Sequence, residues 1–196
     1  TLSEHGVDYF FCNPGTDFTP IVEAFTRAQG SNAKLPQPVL VPHENLAVAM
    51  AHGAYLMTGR PQAVMVHVNV GTGNTINNIT NAARDRAPLI LAAGRTPFTE
   101  RGSFGSRSRS IHWAQEMFDQ AGMLRELVKW DYEMKVPEQA ADIAARAYEM
   151  TMTSPRGPVY LVLPREPLAA PVYETLSSAP RQLPALGQPD PRGIET

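Results

Sequence analysis

The sequence predicts an α/β fold, a three-layer α/β/α arrangement around a mainly parallel sheet of about six strands. Short and nearly continuous apolar runs alternate along the chain with longer stretches in which apolar residues recur every three or four positions. The first pattern is typical of strands buried on both faces, and the second is typical of amphipathic helices. Alternation of the two implies βαβ crossovers, which give a parallel sheet with helices on both faces.

The apolar runs and the helical patterns divide the chain into candidate elements. Five segments have the composition of buried strands: 7–13, 38–43, 62–70, 87–94 and 157–164. A sixth, weaker candidate strand spans 126–134. Helical periodicity predicts helices in the intervening segments 17–28, 44–57, 74–85, 111–121 and 137–153.

One domain is predicted over residues 1–170, followed by a Pro-rich linker or tail over 171–196. A chain of 196 residues can bury an ordinary core. Seven of the 18 prolines fall in the last 33 residues, which have no apolar periodicity. A domain that ends in such a linker usually leads to another domain, and the chain begins with Thr. We therefore expect a piece of a longer protein.

Charge and apolar content argue against two kinds of partner. The formal net charge is -2 with acidic and basic residues interspersed, so neither nucleic acid nor an anionic membrane is favoured electrostatically. No run approaches the roughly 18 apolar residues of a membrane span, and a cytoplasmic location is expected. The single cysteine, Cys12, lies in an apolar run and is predicted to be a buried thiol.

One basic cluster stands out, formed by Arg101, Arg107 and Arg109 among Gly and Ser residues. Its composition is compatible with a mobile loop or with a lid that contacts an anion, and the sequence leaves both interpretations open.

Ligands of open parallel sheets bind at the carboxyl ends of the strands, so the residues that follow each predicted strand are candidates for a site. These segments are 13–16, 43–45, 67–74, 94–97 and 164–167. We expect all five to lie on one edge of the sheet.

Glu44 stands at one of these junctions, directly before a helix rich in small residues. An acid in the first helical turn gains about 0.3 to 1 kcal/mol from the helix dipole, which would by itself account for its presence. A carboxyl partly withdrawn from water could also share or donate a proton. His43 beside it is predicted to be a cap or a partner.

The segment 67–74 offers two further features. Its GTGN sequence, residues 71–74, is compatible either with a tight turn capped by Asn74 or with backbone N–H groups that hold an anion. His67 interrupts an apolar strand, and it is either a core histidine bonded to a backbone carbonyl or a site residue. Histidine and cysteine spacing predicts no metal site, and no dinucleotide, phosphate-loop or serine-hydrolase motif occurs.

Three stretches together identify a family: 6–25, which contains NPGT, then 41–94, and 154–167. The most specific of them reads as a strand, then HE, then a small-residue helix that ends in TGR. In this order they resemble the N-terminal pyrimidine-binding domain of thiamine diphosphate-dependent enzymes, the group of acetolactate synthase, benzoylformate decarboxylase and pyruvate decarboxylase. The resemblance covers about residues 3–170.

The resemblance implies roles for residues at the sheet edge. Glu44 would hydrogen-bond N1′ of the cofactor's aminopyrimidine and activate it, and the cofactor would serve as an electron sink for a 2-oxo acid. The residues expected to contact the cofactor are Gly71, Thr72, Gly73, Asn74, Pro14 and Gly15.

It also implies residues that meet the substrate. His67 matches a site histidine of benzoylformate decarboxylase and is expected to be catalytic, and Thr16 matches a substrate-contacting Ser there. His112 and Gln115 are expected at the substrate as well. The segment 113–120, however, looks more like acetolactate synthases, which leaves the subfamily open.

The family holds the diphosphate and its Mg²⁺ through a GDG motif in a separate C-terminal domain, and this sequence contains no GDG. The resemblance therefore implies half a site, completed by another domain in a homodimer or tetramer. We expect part of a 2-oxo acid decarboxylase or carboligase. An oxalyl-CoA or acyl-type lyase and a non-catalytic dimerisation or regulatory module are the alternatives.

Overall fold

A computed structural model describes residues 1–29, 31–173, 183–184 and 187 of the chain. Most of the predicted linker, 171–196, lies outside the described residues. Within them, no helix is both long enough and apolar enough to cross a membrane.

Six parallel strands form one sheet, as predicted. Their order across the sheet is β2-β1-β3-β4-β6-β5. The strands are β1 (Tyr9–Asn13), β2 (Gln37–Leu40), β3 (Gln62–Val66), β4 (Leu89–Arg95), β5 (Asp131–Glu133) and β6 (Val159–Pro164).

Helices cover both faces of the sheet. They are α1 (Thr19–Ala28), α2 (Glu44–Thr58), α3 (Val68–Asn74), α4 (Ile76–Arg84), α5 (Ile111–Ala114), α6 (Ala140–Met152) and α7 (Arg165–Ala169). Short 3₁₀ turns occupy Thr16–Phe18, Ala121–Met123 and Pro137–Gln139.

Alternate residues of each central strand belong to two separate cores. Phe11, Val64 and Leu91 pack on the side of α2 and α4. Their neighbours Phe10 and Met65 pack with Ile143 of α6 on the opposite side. Because both faces of the strands are buried, apolar residues fill consecutive positions, which is the reason the strands were predictable.

Three of the predicted elements differ in the structure. The third strand ends at Val66 rather than at residue 70, because the chain turns into α3. The predicted helix 111–121 is helical only at Ile111–Ala114 and in the turn that begins at Ala121. The weak sixth strand contains three residues, β5, and α7 after β6 was not predicted.

Candidate functional site

The carboxyl ends of the strands meet at one edge, as expected for a parallel sheet. Residues that follow β1, β3, β4 and β6 line a common cavity, among them Thr16, His67, Thr96 and Arg165. Glu44, after β2, joins this edge through a hydrogen bond with Asn74 at the end of α3. The edge therefore has two parts, which lie at opposite ends of α3.

Glu44 is the first residue of α2, and its side chain is only 12% exposed. Its Oε2 accepts a hydrogen bond from Asn74 Nδ2 at 3.1 Å. Among the described residues, no hydrogen-bond donor contacts the other oxygen, Oε1. His43 is the N-cap, as predicted: its Nδ1 accepts from the backbone N–H of Asn45 at 3.1 Å. The carboxylate is thus held in place while one oxygen stays free to accept.

The end of the site that contains Glu44 is fixed by contacts between α2 and α4. The Asn45 side-chain oxygen accepts from Asn78 N at 3.0 Å, and the Asn45 carbonyl accepts from Asn78 Nδ2 at 2.8 Å. These paired bonds hold the first turn of α2 against α4 and so fix the position of Glu44.

Residues 71–74 are helical, and neither interpretation of GTGN from sequence is correct. They form the second half of α3, and the Gly71 N–H donates to the His67 carbonyl at 2.7 Å instead of facing an anion. Asn74 ends α3 rather than capping the next helix. A Cβ on Gly71 would lie 3.0 Å from the Val66 Cβ, so glycine allows α3 to pack closely on β3.

Thr72 of this segment faces the core. It is fully buried, and its hydroxyl donates to the Val68 carbonyl and lies 2.7 Å from the Tyr160 hydroxyl. Gln120 Nε2 donates to the Tyr160 oxygen and to the Gly94 carbonyl, both at 2.9 Å. Burial raises the pKa of Tyr160 to about 12. This network of buried hydrogen bonds holds α3 against β4 and β6. The Thr72 hydroxyl takes part in it and does not reach the surface at the sheet edge.

His67 forms the other end of the site. Its Nδ1 lies 2.6 Å from Asp17 Oδ1, and this hydrogen bond raises the pKa of His67 although burial opposes it. The backbone carbonyl partner that was one of the two expectations for His67 is not found, because the partner is a carboxylate. Asp17 was missed, because an acid at the start of a predicted helix looks like an ordinary first-turn residue.

Two glycines make room for this ion pair. A Cβ on Gly15 would lie 2.2 Å from His67 Nδ1, and one on Gly94 would lie 1.9 Å from Asp17 Oδ2. The backbone of Val68 is strained, with φ at 36°, a conformation that costs a β-branched residue about 1 to 3 kcal/mol. Asp17 Oδ2 accepts from the Val68 N–H at 3.4 Å and helps to hold it.

A cavity of about 330 Å³ opens beside His67. It brings together all four residues that were predicted to meet a substrate or to react with it: Thr16, His67, His112 and Gln115. Pro14 is exposed and does not belong to the lining. Three arginines also line the cavity: Arg95, Arg109 and Arg165. Arg95 and Arg165 lie in the candidate segments 94–97 and 164–167 but were given no role, and Arg109 belongs to the cluster for which a mobile loop and an anion-contacting lid were both left open.

The basic cluster is not a uniformly mobile loop. Arg107 is buried, and its guanidinium donates to the Pro97 carbonyl at 2.9 Å and contacts Glu116 at 2.6 Å. Arg101 and Arg109 are exposed, and Arg109 reaches the cavity. An ion pair between the buried guanidinium of Arg107 and the 46% exposed carboxylate of Glu116 thus anchors the segment, and Arg109 of the same segment lines the cavity. Cys12, in contrast, is the buried thiol that was predicted, and burial raises its pKa.

Several known proteins are similar to this chain in both sequence and fold. The sequence model of the family "Thiamine pyrophosphate enzyme, N-terminal TPP binding domain" matches residues 1–123. Benzoylformate decarboxylase of Pseudomonas aeruginosa is 30% identical over 173 residues, which are 87% of this chain and 29% of that protein. The mitochondrial acetolactate synthase catalytic subunit of Saccharomyces cerevisiae is 28% identical over 169 residues, 86% of this chain and 23% of that protein.

Among solved structures, benzoylformate decarboxylase from Polynucleobacter necessarius matches with a TM-score of 0.78 at 25% identity, over 99% of this chain and 33% of that one. The chain spans about a quarter to a third of the length of these relatives. The fold, the HE junction and the match of the family model over most of the chain all indicate the same family. This chain belongs to the thiamine pyrophosphate enzymes, as their N-terminal TPP binding domain.

Proposed function

We propose that this chain is the pyrimidine-binding part of a thiamine diphosphate-dependent 2-oxo acid decarboxylase or carboligase, in which Glu44 activates the aminopyrimidine. One observation carries the proposal. A nearly buried carboxylate lies on the ligand edge of the sheet, positioned by Asn74, with Oε1 free to accept a hydrogen bond.

The residues at this end of the edge fit an aminopyrimidine ring. Such a ring needs one acceptor at a nitrogen and apolar surface against its faces. Glu44 offers the acceptor, and Val70, one helical turn before Asn74 on α3, offers an exposed apolar side chain. When bound, the cofactor supplies an electron sink for breaking the bond beside the 2-oxo carbon.

Glu44 would then hold or release a proton at the ring nitrogen. Asn74 restrains one carboxylate oxygen, so the other keeps a defined direction towards a ligand. Little reorganisation is needed when the proton moves, which is the advantage of a preorganised acid–base group.

His67 is the second proton carrier in this proposal. Its partner Asp17 raises the pKa of the imidazole, so His67 is protonated over a wider pH range than a free histidine. Because the ring also lines the cavity with Thr16 and Gln115, it can donate a proton to a substrate oxygen there. Asp17 positions the ring and fixes its tautomer.

Self-association is also part of the proposal, as a homodimer or tetramer. The residues Leu46, Met50 and Met57 recur at helical spacing on α2, and all three are exposed. Apolar residues in such a row support contact with another protein surface. Mg²⁺ and the cofactor's diphosphate would be held by a different domain, as the resemblance implies.

Replacement of Glu44 in the intact enzyme tests the proposal. Glu44→Gln keeps the hydrogen-bonding shape and removes the proton-exchanging group, so turnover of 2-oxo acids should fall by roughly 100-fold or more. Exchange of the thiazolium C2 proton of bound thiamine diphosphate, followed by NMR, should slow in parallel.

Glu138→Gln is the matched control, because Glu138 is an exposed acid in the first turn of another helical segment. It should leave both rates unchanged. Full turnover and full C2 exchange in Glu44→Gln would refute the assigned role.

A further inference from the structure

We infer that Arg109 and Arg165 make their part of the cavity beside His67 an anion-binding subsite, which holds a second, non-reacting anionic group of the substrate while His67 meets the reacting group. The substrate class is thus a 2-oxo acid with an acidic group at its far end. The inference rests on the proposed function, since it concerns the same reaction.

The charges that line the cavity are unbalanced. Arg95 is neutralised by Glu133 on β5. Arg109 and Arg165 form no ion pair with any carboxylate of the described residues. The acid in the lining is Asp17, and it is already engaged with His67. Arg109 and Arg165 therefore line the cavity without an ion-pair partner among the described residues, since the nearby buried Glu166 accepts hydrogen bonds from Thr99 instead. An anion in the cavity would gain charge-assisted hydrogen bonds.

The contacts of His112 also show that the cavity lacks a hydrogen-bond acceptor. Its Nδ1 accepts from the Ser108 N–H at 3.1 Å, so a neutral ring carries its proton on Nε2. Nε2 lies 3.2 Å from Arg165 Nη1, which means that two donors face each other.

The imidazole cannot relieve this contact. Burial, followed by the charges of Arg165, Arg109 and Arg107, lowers the pKa of His112 below its ordinary value although the charge of Glu166 opposes this, which favours the neutral ring. An oxygen with two lone pairs placed between Nε2–H and the guanidinium would satisfy both donors. Carboxylate, sulfonate and phosphonate groups all provide such oxygens.

The reacting carboxylate of the 2-oxo acid is a poor candidate for this place. It loses its charge as it leaves as CO₂, so tight pairing with arginine would stabilise the ground state more than the transition state. The arginines are also remote from Glu44. The cavity adjoins Val68 at the start of α3, and Asn74, the partner of Glu44, is at its end, six residues further on, or about 9 Å at 1.5 Å per residue. The far end of a short substrate would lie at such a distance.

Substrate preference of the intact enzyme tests the subsite. The probes are 2-oxoglutarate, 2-oxo-4-sulfonobutanoate and 5-methyl-2-oxohexanoate, the last an uncharged isostere of the first at its far end. We expect higher kcat/KM for the two anionic substrates. Preference for them over the isostere should fall by roughly 10- to 100-fold in Arg165→Gln and in Arg109→Gln.

Arg101→Gln is the matched control, since Arg101 belongs to the same basic segment but does not line the cavity. It should retain the preference. A second readout needs no turnover: calorimetric binding of glutarate, an unreactive dicarboxylate, should weaken in Arg165→Gln and Arg109→Gln alone.

Three outcomes separate this inference from the proposed function. Equal use of the isostere, or an unchanged preference in both arginine variants, would overturn the subsite while 2-oxo acid turnover stands. Loss of thiamine diphosphate affinity without a change in preference would also overturn it, because the arginines would then hold the cofactor. If glutarate binding depends on the arginines but no 2-oxo acid reacts, the anion site is supported and the proposed reaction fails.

Discussion

Two acids on the same sheet edge, Asp17 and Glu44, are held in different ways. The Asp17 side chain is 5% exposed, and both of its oxygens accept hydrogen bonds, from His67 and from the Val68 N–H. The Glu44 side chain is 12% exposed, and only its Oε2 is engaged, by the Asn74 amide and, at 3.8 Å, by His43 Nδ1. Asp17 thus holds a part of the fold together, whereas Glu44 keeps an acceptor for a ligand.

The surroundings of the two acids also differ, in packing and in access for a ligand. Asp17 and its partner occupy spaces that Gly94 and Gly15 leave free, so the pair is packed as a core element. Glu44 lies at a helix start, where its charge is favoured and a further partner can approach. A completely satisfied acid supports structure, and an acid with a vacant acceptor is the better candidate for chemistry. Stability measurements can test whether the two acids differ in this way.

The largest expected effect on stability is that of Asp17→Asn. Breaking a buried ion pair typically costs about 3 to 5 kcal/mol, and the partial exposure of His67 reduces this to about 2 to 3 kcal/mol here. Glu44→Gln should cost no more than about 1 kcal/mol, since it removes mainly a helix-dipole interaction. Urea unfolding of both variants measures the free energies. Equal losses would show that the two acids do not differ in the proposed way.

Gly94→Ala should have the second largest effect, lowering the free energy of unfolding by about 1 to 3 kcal/mol through overpacking. The new methyl group would overlap Asp17 and push its carboxylate away from His67. The pKa of His67, measured by NMR titration, should then fall towards its ordinary value. Gly73→Ala is the control: nothing lies within 4 Å of its added Cβ, and it should change stability by less than about 1 kcal/mol. A His67 pKa that stays raised in Gly94→Ala would contradict this explanation of the packing.

Tyr160→Phe tests the buried hydrogen-bond network under α3 and should lower the free energy of unfolding by about 1 to 2 kcal/mol. It removes the oxygen that contacts Thr72 and Gln120, although each keeps a backbone partner, the Val68 and Gly94 carbonyls. Thermal unfolding should report the loss, and the His67 pKa should stay unchanged. A shifted His67 titration would mean that the core network and the ion pair are coupled.

The smallest expected effect is a dependence of stability on pH. The folded pKa of His67 is raised above 6.5, so the contribution of its pairing is complete below pH 6.5 and is lost as pH rises through the folded value. The difference in unfolding free energy between the unmodified chain and Asp17→Asn should therefore narrow with increasing pH. A difference that widens above pH 6.5 would contradict the assigned direction.

Sequence patterns were sufficient where one physical requirement dominates. Strands buried on both faces need apolar residues at successive positions, so Phe10 and Phe11 or Val64 and Met65 reveal them directly. The caps are equally local, and His43 was placed correctly because it needs only the N–H two residues away.

Patterns failed where a residue's partner is distant in sequence. Asp17 and His67 are 50 residues apart, and nothing in either segment indicates the other. The helix α3 was missed because Gly71 and Gly73 disfavour helices, and packing of α3 on β3 and β4 overrides that preference.

By itself, the sequence determined the α/β class, the parallel sheet and the sheet edge at which the candidate site lies, because strand burial and connection handedness follow from local composition and order. Through the HE junction and the GTGN segment it also indicated the family. Only the tertiary structure decided which acid is engaged and which has a free oxygen. It also decided that Arg109 and Arg165 share a cavity with His112. Hydrogen bonds and charge balance depend on distances between residues far apart in the chain, and no local pattern encodes these distances.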